Sequence, residues 1–139
     1  MFNKVITKNI PRKMLVLDVG ARGGLCEPFS YFDKSAITAI LVEPDKDEAE
    51  RLSKVKDNDS EIILPYALWD ESGELTLNIN KSPGTSSIFN SNFKELSKFP
   101  ECDRFLNEKK VKLKSKTIRE LVANGVINDI DFMKVDIQG

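Results

Sequence analysis

Two kinds of apolar pattern share this chain. Met14-Leu15-Val16-Leu17, Ala39-Ile40-Leu41-Val42 and Ile62-Ile63-Leu64 are apolar at every position, and Phe132 to Ile137 is broken only by Lys134 and Asp136. Short runs of this kind read as parallel strands buried on both faces. Glu74-Leu75-Thr76-Leu77-Asn78-Ile79 and Val111-Lys112-Leu113-Lys114-Ser115 alternate instead, as half-exposed strands do. Tyr66 to Trp69 continues an extended chain and Asp70-Glu71-Ser72-Gly73 reads as a turn, so 66–79 is expected to form a hairpin with one wet face.

Helical signals fall between these strands. Leu25, Phe29 and Phe32 lie at i, i+4 and i+7, but Pro28 fits only a first turn, so that helix is expected to be short or to start late. Glu43-Pro44-Asp45 opens the next helix, with Pro44 at its first position. Asp45, Asp47 and Glu48 suit its positive end, and Arg51, Lys54 and Lys56 its negative end. Ala49 and Leu52 would face the sheet, and most of the charges read as a solvated face. Thr117 caps a helix to about Asn124, with Glu120 at the capping-box position and Gly125 as its stop. Ser82 to Ser87 is a loop by composition. The stretch 88–105 carries Phe89, Phe93, Leu96, Phe99 and Phe105, either as core-filling side chains or as an apolar lid. Strands alternating with helices predict an α/β fold: a Rossmann-like, doubly wound, mostly parallel sheet with an inserted β-hairpin.

Composition narrows the classes. A chain of 139 residues can build one domain with a real core, here read as residues 1–139. A net charge of −1 predicts no bulk affinity for nucleic acid. No apolar run approaches the length of a membrane span. Met1 to Lys13 is mildly basic without a signal-peptide core; it is expected to pack on the domain edge or fray, with Ile10-Pro11 marking the entry to the first strand. A cytoplasmic location is expected. The absence of histidine removes His-dependent triads and His metal sites. Cys26 and Cys102 lack metal-ligand spacing and read as idle thiols, so no metal is expected.

The first apolar run ends in Asp18-Val19-Gly20-Ala21-Arg22-Gly23-Gly24, where glycines permit tight backbone geometry and close approach of a ligand. A strand entering such a turn is how doubly wound folds open a cofactor site. The spacing is not the G-x-G-x-x-G of a dinucleotide fold, because Arg22 stands at the second glycine; D-x-G-x-x-G-G is closer to the first motif of S-adenosylmethionine-dependent methyltransferases. The second run ends in Glu43, where either cofactor family places the carboxylate that accepts the ribose diol. Candidate cofactor residues are therefore Asp18, Gly20, Ala21, Arg22, Gly23, Gly24 and Glu43. The helix after the turn would aim the positive end of its dipole at the cofactor carboxylate.

Four stretches in order resemble the N-terminal part of an FkbM-type methyltransferase: Leu17-Asp18-Val19-Gly20-Ala21-x-x-Gly24, Val42-Glu43-Pro44, Ala67-Leu68-Trp69-Asp70-x-x-Gly73 with Ser86-Ser87, and Asp131 to Gly139. Arg22 and Gln138 depart from the Asn and Glu common in that family. The resemblance implies a class I S-adenosylmethionine fold, usually an O-methyltransferase acting on a sugar or secondary-metabolite hydroxyl. It implies a strand order three-two-one-four, with Ala67 and Leu68 flanking adenine. Asp136 would orient the acceptor or take its proton, or else serve as a structural acid paired with Lys134. The family's sheet continues with three more strands, so a truncated chain is expected, and its exposed fourth strand would favour a homo-oligomer. Two rivals remain at this point: a nicotinamide-dependent oxidoreductase, and a non-catalytic remnant.

Overall fold

The two apolar patterns sort into two sheets in the computed structural model, which describes residues 12–56 and 59–137. The strands in chain order are β1 (Met14–Val19), β2 (Ile37–Val42), β3 (Glu61–Leu64), β4 (Ala67–Leu68), β5 (Gly73–Asn80), β6 (Asn107–Lys116) and β7 (Phe132–Val135). The uniformly apolar runs form an all-parallel sheet of order β3-β2-β1-β7, as the resemblance implied. The alternating runs form a smaller sheet of order β4-β6-β5. The expectations about Ile10-Pro11 and Gln138-Gly139 lie outside the described residues.

Register explains why the parallel sheet is apolar on both sides. Leu17 lies beside Ile40 and Val19 beside Val42, so these four share a face and make the main core with Leu121 and Ile127. The opposite face presents Ala39 and Leu41, which pack with Ala21, Leu25 and Ile63. Leu17 and Ile40 are wholly buried; each contributes roughly 1.5–3 kcal/mol by leaving water. Three α-helices are described: α1 (Lys46–Val55), α2 (Phe93–Leu96) and α3 (Ile118–Ala123). α1 buries Ala49 and Leu52, as expected, and α3 places Leu121 in the main core. Helix α1 begins at Lys46, two residues later than the sequence suggests, because Asp45 is its cap and accepts the Asp47 amide, leaving Pro44 outside. At α3, Thr117 Oγ1 accepts the Glu120 amide at 3.0 Å, but the Glu120 carboxylate turns to Ser72 and Lys116, so only half the capping box forms.

Three expectations are corrected. The chain after Gly24 makes only a 3-10 turn at Phe29–Tyr31, and no helix dipole arises there. Gly23 and Gly24 hold φ of +89° and +112°, outside helical space, and Pro28 offers no amide donor. Phe29 still anchors the turn, its ring 4.5 Å from that of Phe132 on β7. The hairpin of 66–79 does not form: β6 lies between β4 and β5, parallel to the first and antiparallel to the second. β4 supplies two pairing residues for an eight-residue β5, whereas β6 runs for ten and pairs along the whole length of β5. Its outer face is wet only at Glu74 and Thr76; Asn78 and Asn80 are buried, donating to the carbonyls of Phe89 and Thr85. The aromatics of 88–105 do not fill the core. Phe89, Phe93 and Phe99 are 56%, 36% and 64% exposed, and the inner face of the small sheet is made instead by Leu77, Ile79 and Leu113 with Ile88.

Candidate active site

The two sheets meet around a cavity of about 280 Å³, just under the usual range for a small-molecule pocket. Its first wall is the C-terminal edge of the parallel sheet, where chain order reverses beside β1. Val19 and Gly20 leave β1, Val42, Glu43 and Pro44 leave β2, and Lys134, Asp136 and Ile137 belong to or follow β7. Its second wall is the apolar face of the small sheet with Ala67, Leu68, Trp69 and the loop at Ser86-Ser87-Ile88.

The turn after β1 is fixed by the protein itself. Gly20 holds φ +82°, and a Cβ there would lie 2.1 Å from the Asp136 carbonyl oxygen. The close approach that this glycine permits is thus to β7: the Asp136 amide donates to the Val19 carbonyl at 2.9 Å. The Gly20 amide donates to the Val42 carbonyl at 2.9 Å, which sets the glycine beside the residue that precedes Glu43. The Gly23 amide is taken by Glu48 Oε1 at 2.8 Å, and Arg51 grips that carboxylate through two bonds of 2.9 and 2.7 Å. The Arg51 bond, opposed by burial and helped by the glycine amide, pushes the Glu48 carboxyl down to about 2.

Glu43 is 4% exposed. Burial raises its pKa, against the lowering effect of the Asp45 amide, 2.8 Å from Oε1, and of Arg22. Arg22 reaches along the cavity to Asp45 at 3.1 Å. Across the site Lys134 lies 3.3 Å from both Asp18 and Asp136. Burial works against the Lys134 charge, but the two carboxylates outweigh it and raise its pKa.

The structure therefore divides the candidates. Gly20, Arg22, Glu43, Ala67, Leu68 and Asp136 line the cavity together. Asp18, Ala21, Gly23 and Gly24 are not part of its lining. Asp18 is wholly buried and accepts the Cys26 amide at 2.9 Å, and Ala21 packs on Ala39 and Leu41. These are supports of the turn. Sequence reasoning missed Glu48 and Arg51, which look like any surface pair on an acidic-to-basic helix. It also missed the wall formed by Leu75, Leu77, Ile79 and Leu113, whose alternation shows a buried face without showing what it faces.

An apolar strand, a glycine turn and a buried acid at the next strand's tip thus meet at one cavity. The family described as the methyltransferase FkbM domain matches residues 18–139. The chain belongs to the FkbM methyltransferase family. No curated protein and no solved structure matches it. Within this methyltransferase domain the matched span takes in both walls of the cavity, from Asp18 to the end of β7. No helix among the described residues is long and apolar enough to cross a membrane.

Proposed function

We propose that this methyltransferase takes its methyl group from S-adenosylmethionine and transfers it to a hydroxyl oxygen of a sugar or secondary metabolite. The observation that carries the reading is the buried Glu43 carboxylate opening into the same cavity as Gly20. Such a carboxylate, at the tip of the strand beside the glycine turn, is placed to accept the two hydroxyls of a ribose. The lining suits the donor: Arg22 and Lys134 against Glu43, Asp45 and Asp136 leave one negative charge facing a cationic sulfonium compound. Ala67, Leu68, Val42 and Pro44 offer an apolar slot for a flat base.

A bound sulfonium supplies a methyl carbon that is already electrophilic. What remains for the chain is orientation and exclusion of water. The small sheet excludes water from one side. Asp136, with most of its side chain in solvent and Lys134 3.3 Å away, accepts the hydrogen bond of the acceptor hydroxyl and orients it; the proton leaves to the adjoining solvent.

Calorimetric titration separates this reading from the nicotinamide rival. S-adenosylmethionine is expected to bind and NAD to give no saturable heat. Saturable binding of NAD with none for S-adenosylmethionine would overturn it.

A further inference from the structure

The charges of the cavity are all on one side. Arg22, Glu43, Asp45, Lys134 and Asp136 belong to the parallel-sheet wall; the small-sheet wall and its loop contribute no ionisable side chain. That second wall is a continuous apolar strip. Leu75, Leu77 and Ile79 lie on one face of β5, with Leu113 beside Leu75 on β6, and all four line the cavity. At the ordinary strand rise, Leu75 to Ile79 spans about 14 Å. Ala67 and Leu68, which pair with the far end of β6, stand at only one end of this strip. A base resting on them leaves the rest of it uncovered. The apolar surface also continues outward: Trp69 lines the cavity and meets Phe89 edge-on at 6.2 Å, and Phe89 is 56% exposed. Through this contact the apolar wall runs on to the protein surface.

We propose that the acceptor is an amphipathic alcohol, a hydroxyl-bearing head carried on an extended apolar body, and that β5 and Leu113 hold this body while Asp136 meets the head. The proposal rests on the methyl-donor reading only for its name of "acceptor"; the strip's preference for an apolar body stands on the wall itself. A bare, fully hydroxylated sugar would leave the strip in contact with polar groups it cannot satisfy.

The test compares two probes with the same sugar head, octyl glucoside below its micellar concentration and methyl glucoside. Each is titrated by calorimetry into the intact protein, with and without S-adenosylhomocysteine. The octyl compound is expected to bind at least tenfold more tightly. Leu75→Asn, a half-buried position, should abolish that advantage, and Thr76→Ser on the outer face should leave it intact. Equal affinity for the two glucosides, absence of octyl glucoside binding, or an advantage that survives Leu75→Asn overturns the proposal. A nucleoside that gives no heat while the octyl preference holds would sink the donor assignment and leave the apolar strip standing.

Discussion

The parallel sheet and the small sheet border one cavity and are built on opposite terms. The first is closed at its centre, though not on β7, where Phe132, Met133 and Val135 are exposed: Leu17, Ala39 and Ile40 have no exposed surface, the turn at Gly20 is locked against β7, and its strand tips carry the charges. The second is looser: Leu77, Ile79 and Leu113 keep 6–8% of their surface, and its glycines Gly73 and Gly84 have open space around them. The difference teaches where charge resides. The frame carries the cavity's charges on a locked backbone, and the cover adds apolar surface without charge.

Glycines give the sharpest break between the two. Gly20→Ala would place a Cβ on the Asp136 carbonyl at a positive φ, and a loss of about 3 kcal/mol or more in denaturant unfolding is expected. Gly73→Ala meets nothing and should leave stability unchanged or up to about 1 kcal/mol higher. Equal effects would erase the distinction. Leucines sharpen it next. Leu17→Ala, in a fully buried site, should cost about 2–5 kcal/mol, and the half-buried Leu75→Ala less than about 2 kcal/mol.

Acid carries a smaller effect on the frame alone. Glu48 titrates at about 2 in the folded chain against an ordinary 4.5. Its contribution is therefore complete above pH 4.5 and drains away as pH falls through about 2. Between those limits the native protein should lose stability more steeply than Glu48→Gln in urea titrations; parallel slopes would remove Glu48 as the anchor of the turn. The mildest effect concerns Glu43, whose raised pKa has the opposite sign. Its burial carries no ionisation penalty below the ordinary carboxylate range, and it destabilises the fold as pH rises from that range through its folded value. Glu43→Gln should melt at a higher temperature than the native protein at pH 7, with the two converging in acid. A lower melting temperature at pH 7 would make Glu43 a structural acid.

The frame was legible in the sequence because parallel strands buried on both faces leave uninterrupted runs such as Ala39 to Val42. Their order came from the resemblance. The cover was not legible in the same way. Alternation in β5 and β6 fixed which residues share a face, but chain proximity suggested pairing β4 with β5, and only the length of β6 decides otherwise. At the site, the nearness of Gly20 to Glu43 was readable because each follows the C-terminal end of a neighbouring apolar run. Glu48, Arg51 and the Lys134 link to Asp18 were not, since their partners are distant in sequence or sit on a helix where charges are common.

If the buried acid at the tip of β2 grips a ribose beside the glycine turn, its removal must weaken the hold on S-adenosylmethionine, and titration of that compound into Glu43→Ala measures this directly. Removing hydrogen bonds to a charged carboxylate costs about 1.5–3 kcal/mol each, so calorimetry should show affinity at least about tenfold weaker than in the native protein. An unchanged dissociation constant in a folded Glu43→Ala variant would contradict the account.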